Sequence, residues 1–366
     1  MSESPATPAV AAPPTRPVRR GSRVKAAGTA GALLLATATT LAACSTGPTT
    51  GDATTAATAP GATGQPSQAG PDGFPVTVDT ASGPVTIAAK PERIVSLSPS
   101  STETLFAIGA GPQVVAADEH STYPPEAPKT TLSGFEPNIE AIIATKLDLL
   151  VVANDAGGLV EAMKRVNVPV IISSAPTTID GGYTGTSVLG QATGNHEKAE
   201  AEVARIKQEV ASAMAKAPNA RVRVYHEVDP GLVAASSNGF VGSVYTAMGA
   251  VNIADAADTA KSGYPQLTEE AIVAADPQLI VITDKAGLTA AEVAKRPGWA
   301  NISAVKNKHI VTVDGDIASR WGPRMPQFVE DVAEALASVQ SGSTGTSGST
   351  QSPASTPAAT PAPSAA

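Results

Sequence analysis

Glu140-Ala141-Ile142-Ile143-Ala144 is followed, four residues on, by the apolar run Leu149-Leu150-Val151-Val152. One hundred and thirty residues later, Glu270-Ala271-Ile272-Val273-Ala274 leads into Leu279-Ile280-Val281-Ile282 at the same offset. Each copy reads as a short helix feeding a strand. A weaker echo pairs Ala107-Ile108-Gly109-Ala110 with Ala247-Met248-Gly249-Ala250. Repetition at this distance implies two similar lobes rather than a solenoid of short units.

The sequence around the echoes alternates in the same way. Ile94–Leu97, Leu149–Ala153, Val168–Ile172, Val222–Val228, Leu279–Thr283 and Ile310–Val313 read as strands bounded by Pro, Gly, Asp or Ser. Helices are predicted over Thr102–Gly109, Ile139–Thr145, Leu159–Val166, His196–Lys216, Glu269–Ala275 and Pro326–Ala337. The stretch from His196 to Lys216 lies between the two copies, with Ala199, Val203, Ile206 and Val210 at helical spacing. At 1.5 Å per residue it would span roughly 30 Å, about one domain width. The expected fold class is therefore α/β: two similar lobes with mostly parallel sheets, joined by a long backbone helix, with a ligand cleft between them. The expected boundaries are an N-terminal lobe over 73–195, the inter-lobe helix over 196–217 and a C-terminal lobe over 218–339.

Composition narrows the function. The chain has 366 residues and a net charge of −8, with one Cys and only five Phe, five Tyr and two Trp. The acidic excess argues against a nucleic-acid partner. A single Cys excludes an internal disulfide and any Cys-based zinc site. Residues 16–25 hold five positive charges, and Ala26–Ala43 hold none of either sign, so residues 1–43 read as a signal peptide. The run ends in Leu41-Ala42-Ala43-Cys44, which resembles the lipobox of bacterial lipoproteins and implies lipidation at Cys44. Arg19-Arg20 leaves the general and twin-arginine export routes both open. Cleavage removes those five positive charges and Glu3, leaving 20 Lys and Arg against 32 Asp and Glu, a net of −12. The body is then expected at the outer face of the cell membrane, held there by lipid. Residues 44–72 and 340–366 lack large apolar side chains and are expected to be a disordered tether and tail.

A resemblance is carried by motifs in a fixed order: Arg93-Ile94-Val95-Ser96-Leu97-Ser98-Pro99-Ser100-Ser101-Thr102-Glu103, Tyr123-Pro124-Pro125-Glu126-Ala127 and Asn138-Ile139-Glu140 in the first half. The second half has Tyr264-Pro265-Gln266-Leu267, Asp276-Pro277, Arg296-Pro297-Gly298-Trp299 and Ser319-Arg320-Trp321-Gly322-Pro323-Arg324. Over residues 75–339 the chain resembles the substrate-binding proteins of ABC importers, in the class with a helical backbone that includes cobalamin, ferric-siderophore and haem receptors. The resemblance implies a monomer that delivers a metal chelate to a permease dimer with its ATPase subunits, with no permanently bound cofactor. It assigns Glu140 and Glu270 to docking on that permease. Tyr123-Pro124-Pro125 and the Arg320 loop are most similar to cobalamin receptors, whereas Gly134-Phe135-Glu136 stands where those receptors usually carry a Trp.

Strand ends facing a cleft are the physical candidates for ligand contact. They are Ser100, Ser101, Tyr123 and Phe135 in the first lobe and Asn238, Phe240, Tyr264, Arg320 and Trp321 in the second. Aromatic faces suit a macrocycle or catechol, and Arg320 suits an anionic group. The resemblance places a binding arginine in that last loop, while Arg324 reads as structural. Direct capture of a transition metal or of haem is the alternative, with His120 and His226 as weak metal candidates, one of which could serve as an axial haem ligand; both read more simply as surface histidines at strand ends. An exported hydrolase is disfavoured, because no G-x-S-x-G elbow occurs and Ser100 and Ser101 fit a helix start.

Overall fold

Leu149–Val152 and Leu279–Thr283, the apolar runs that follow the two echoes, are strands buried along their whole length, each at the interior of its own sheet. The computed structural model describes residues 73–344 apart from Ala81 and Pro218, and these belong to one compact unit. The signal segment, Cys44, the expected tether and residues 345–366 lie outside the described residues.

An antiparallel hairpin, β1 (Val76–Thr80) and β2 (Gly83–Ile87), opens the fold. The first lobe follows as β3 (Ile94–Leu97), α1 (Pro99–Ala107), β4 (Val114–Ala117), α2 (Ile139–Ala144), β5 (Leu149–Val152), α3 (Leu159–Arg165) and β6 (Val170–Ile172). Its sheet has the order β4-β3-β5-β6, parallel throughout. Two helices then stand between the sheets, α4 (Ile179–Ala192) and α5 (His196–Met214). The second lobe contains β7 (Arg223–Asp229), β8 (Val233–Ala234), α6 (Phe240–Ala247), β9 (Val251–Asn252), α7 (Glu269–Ala275), β10 (Leu279–Thr283), α8 (Ala290–Ala294), α9 (Ser303–Lys306), β11 (Ile310–Val313), α10 (Gly315–Ala318) and α11 (Met325–Thr344). Here β11, β10, β7 and β9 run parallel in that order, and the short β8 joins β7 antiparallel.

The 130-residue repeat extends to atomic detail. Asn138 caps α2 by accepting from the Ala141 amide at 3.0 Å, and Thr268 caps α7 by accepting from the Ala271 amide at 3.2 Å. At the far ends, Arg93 Nε donates to the carbonyls of Thr145 and Lys146, and Arg223 Nε donates to those of Ala275 and Asp276. These carbonyls have no partner within their own helix, so each arginine satisfies a helix end from the neighbouring strand. Lys146 and Asp276, at matching positions, both adopt the left-handed conformation that ends the helix. The lobes are therefore two copies of one design, paired strand for strand as β4 with β9, β3 with β7, β5 with β10 and β6 with β11.

Alternation along the strands builds four cores. Leu149 and Val151 pack on one side of the first sheet and Leu150 and Val152 on the other. Leu279 and Val281 face α5 and α11, while Ile280 and Ile282 face Trp299 and Ile272. The helix between the lobes is not a bare strut. Of its buried residues, Ala199 belongs to a first-lobe core with Leu189 and Ala192, whereas Val203, Ile206, Val210 and Ala213 belong to the large second-lobe core. The unpredicted α4 lies along it, so close that a Cβ on Gly190 would sit 2.2 Å from Ala199 Cβ. At the C-terminus, α11 runs to Thr344, so residues 340–344 of the expected tail are helical.

Candidate functional site

Every parallel strand of the first lobe except β6 ends at one cavity, and the second lobe closes it from the other side. Beyond β3 lie Ser98, Pro99 and Ser100, beyond β4 Asp118 and His120, and beyond β5 Ala153 and Asn154. Lys285 follows β10, while Asp316, Ser319, Arg320 and Trp321 follow β11. The cavity measures about 530 Å³, within the range of small-molecule sites. Parallel strands release their chains at one end, so side chains from successive loops converge there.

Local chemistry fixes each wall. Ser98 is the N-cap of α1, and Pro99 at the first helical position needs no amide partner. The loop after β4 doubles back, with the Glu119 amide donating to the Leu132 carbonyl at 2.8 Å. Its tip rests on β3: a Cβ on Gly134 would lie 2.5 Å from the Leu97 carbonyl oxygen, so only glycine permits that approach. Phe135, the next residue, projects into the cleft mouth with 75% of its surface exposed. The His120 ring meets it edge to face at 5.7 Å.

Beneath these groups lies a charge network joining the lobes. Glu103 of α1, fully buried, accepts from Arg320 Nη1 at 2.7 Å, from Arg324 Nη2 at 2.6 Å and from Arg324 Nε at 2.8 Å. Arg320 Nη2 also donates to the His120 carbonyl and meets Asp316 Oδ1, both at 3.2 Å. Asp316 pairs through its other oxygen with Lys285 Nζ at 3.2 Å. The Arg324 guanidinium lies 4.3 Å over the Tyr123 ring, and its pKa is raised, first by the hydrogen bonds to Glu103. Burial raises the Asp118 carboxyl pKa, against the opposing hydrogen bond from Ser121 and the charges of His120 and Arg320.

The expected contact residues divide on this geometry. Ser100, Phe135, Arg320 and Trp321 line the cleft. Arg320 does so with its two terminal nitrogens committed to protein acceptors rather than held ready for an anion. Ser101 is buried beside the cleft wall at the third position of α1. Phe240 is a core residue, edge on to Trp321 at 6.5 Å. Asn238 donates to Asp258, whose carboxylate gathers five hydrogen bonds from Ser236, Asn238, Ser262 and Gly263. Tyr123 and Tyr264 are surface-exposed and do not line this cavity. The aromatic pattern identified bulky residues near strand ends but not which side of the loop they occupy.

The two histidines also separate. His120 lies at the cleft, but His226 is no surface residue: it is buried mid-strand in β7, with Nδ1 2.7 Å from Tyr245 Oη. Burial holds the His226 pKa down to about 3, so the ring is neutral. Among the described residues no group of three His, Cys, Asp or Glu is placed to hold a metal ion. Glu103, Asn154, Lys285 and Asp316 were missed as site residues. The rule that singles out strand ends would have found Asn154 and Lys285, which stand two residues beyond β5 and β10.

Glu140 and Glu270 occupy the second position of α2 and α7 and are both exposed. Each helix feeds the adjoining strand after three or four residues. Both glutamates therefore stand at the end of their sheets from which the cleft opens.

The sequence pattern of the periplasmic binding proteins matches residues 94–317, more than half of the chain, including both parallel sheets and the cleft lining up to Asp316. The chain belongs to that family. Among its relatives is an uncharacterized ABC transporter substrate-binding lipoprotein, YvrC, of Bacillus subtilis (strain 168), 34% identical over 275 residues, covering 72% of this chain and 86% of the relative. A cobalamin-binding protein of Halobacterium salinarum is 33% identical over 276 residues, covering 72% and 74%. Among solved structures, the periplasmic vitamin B12 binding protein BtuF of Vibrio cholerae superposes with a TM-score of 0.59 at 25% identity, covering 68% of this chain and 98% of that one. The periplasmic binding protein fold accounts for the paired parallel sheets and for the placement of the cleft. Among the described residues no helix is long and apolar enough to cross a membrane.

Proposed function

We propose that this chain is the extracytoplasmic solute-binding component of an ABC importer, capturing a cobalamin or ferric-siderophore-type chelate and presenting it to the permease. The observation that carries this reading is the inter-lobe cleft, with an exposed aromatic on the first-lobe side, Phe135, and a half-buried one on the second, Trp321. Aromatic faces grip a large, partly apolar ligand without transforming it. The charged groups Arg320, Lys285 and Asp118 of the cleft lining are engaged with protein partners, Arg320 with Glu103, Lys285 with Asp316 and Asp118 with Ser121. The names of the cobalamin-binding relatives support the same ligand class.

In this reading the lobes correspond to residues 73–195 and 218–339 with the helix 196–217 between them. Glu140 and Glu270 dock onto basic residues of a two-fold permease by charge-assisted hydrogen bonds. Lipid on Cys44 holds the mature monomer at the outer face of the membrane. A second reading, haem with His120 as axial ligand, is favoured by the position of that imidazole at the cleft.

Absorbance tests the choice. The purified protein is incubated with cyanocobalamin, haemin or a ferric siderophore and separated from free ligand by gel filtration. Visible absorbance co-eluting with protein and saturating at one equivalent is the expected result for the cargo class. Colourless protein from all three sinks the proposal.

A further inference from the structure

The Arg320 loop carries one more inference. It rests on the proposed reading of the cleft as a chelate site and concerns which chelates that site accepts. Arg320 and Lys285 line the cleft with Asp316 and Asp118, while Arg324 and the fully buried Glu103 lie behind them. Arg320 is the cation best placed to greet an anion, yet only 8% of its side chain is exposed. Its terminal nitrogens are shared among Glu103, Asp316 and the His120 carbonyl. Arg324 is spent on the same Glu103 and on the Tyr123 ring. Lys285 is more accessible, but Asp316 sits 3.2 Å from its ammonium.

An anionic ligand entering this cleft meets cations already paired with carboxylates, so it gains little attraction from them. To recruit Arg320 it would have to withdraw a guanidinium from a fully buried carboxylate, leaving that charge short of a partner. An uncharged ligand faces neither obstacle and keeps the aromatic contacts. We propose that the Glu103–Arg320–Asp316–Lys285 network makes this site selective for chelates without net charge, such as a corrinoid or a ferric trihydroxamate, against polyanionic ones such as a ferric tris-catecholate or haem with its two propionates. The arginine of the last loop thereby acts as a specificity-determining residue through its commitment to protein partners, joining the lobes instead of pairing with cargo.

The test is a competition of equilibrium affinities, by tryptophan fluorescence or calorimetry, for cyanocobalamin, a neutral ferric trihydroxamate, a trianionic ferric tris-catecholate and haemin. The wild-type protein is expected to bind at least one of the two uncharged chelates ten or more times more tightly than either anionic one. Asp316→Asn adds a net positive charge at a partly exposed position, and Glu103→Gln makes the same change at the buried one. Each is expected to narrow the preference by tenfold or more; should Glu103→Gln fail to fold, Asp316→Asn decides. A wild-type preference below tenfold, or one that the folded variants leave unchanged, overturns the selectivity while the receptor reading stands. Absence of binding by all four ligands overturns the receptor reading itself, and the selectivity with it.

Discussion

His226 shows how one buried side chain couples stability to pH. Its ring lies in the second-lobe core against Tyr245 and Phe328, and burial sets its pKa at about 3. In the unfolded chain it titrates near its ordinary value of 6.5. Between those values the unfolded state holds the extra proton, so acid favours unfolding. Stability is fully present above pH 6.5 and is lost as pH falls toward 3, by up to about 1.4 kcal/mol per pH unit. Unfolding free energies from urea titrations are expected to be lower at pH 5.5 than at pH 7.5 by about 1.4 kcal/mol, and His226→Asn should flatten the drop. An equal slope in the variant would assign the effect elsewhere. At this scale the sequence was only partly legible. His226 announces itself as a titratable group, but its burial depends on α6 and α11, which pack over it from 19 and 102 residues away. Likewise Glu103 is conspicuous in its motif, yet nothing local indicates that its partners stand 217 and 221 residues downstream.

Among the secondary elements, those with strong apolar pattern and clear caps were legible to the residue: β3, β10, β11 and α7 fall where the sequence places them. The missed α4 explains the opposite case. Its sequence, IDGGYTGTSVLGQA, contains four glycines and two threonines, residues that disfavour an isolated helix. Tertiary packing overrides that preference, because a glycine at position 190 lets α4 approach α5. α6 was missed for a related reason, since FVGSVYTA is rich in β-branched residues. Along α11, Val339 extends the docked face beyond the predicted end at Ala337, carrying the helix into the Ser-rich segment. The α4–α5 contact yields a quantitative expectation. Gly190→Ala should destabilise the protein by about 1–3 kcal/mol through overpacking. Ala199→Gly in the same molecule should restore part of that loss, giving a coupling energy of about 1 kcal/mol in a double-mutant cycle. Strict additivity of the two substitutions would mean that the helices separate to relieve the clash.

Across the whole molecule, the 130-residue repeat joins fold to proposed function. The matched caps at Asn138 and Thr268 and the matched arginines 93 and 223 hold α2 and α7 in equivalent settings, and with them Glu140 and Glu270. Simultaneous Glu140→Ala and Glu270→Ala is expected to abolish uptake in cells while leaving the ligand dissociation constant within about twofold. Each single change should give an intermediate loss if the proposed docking is bivalent. Undiminished uptake by the double variant would remove both residues from the docking surface.

The position of α5 has its own consequence for how this molecule comes apart. One end of the helix is a wall of the first core and the remainder a wall of the second, so melting either half strips cover from the other. Two bodies that resemble each other closely enough to suggest independent modules thus share a keel. They are therefore expected to denature in concert, as one transition in a calorimetric scan, rather than as independent modules.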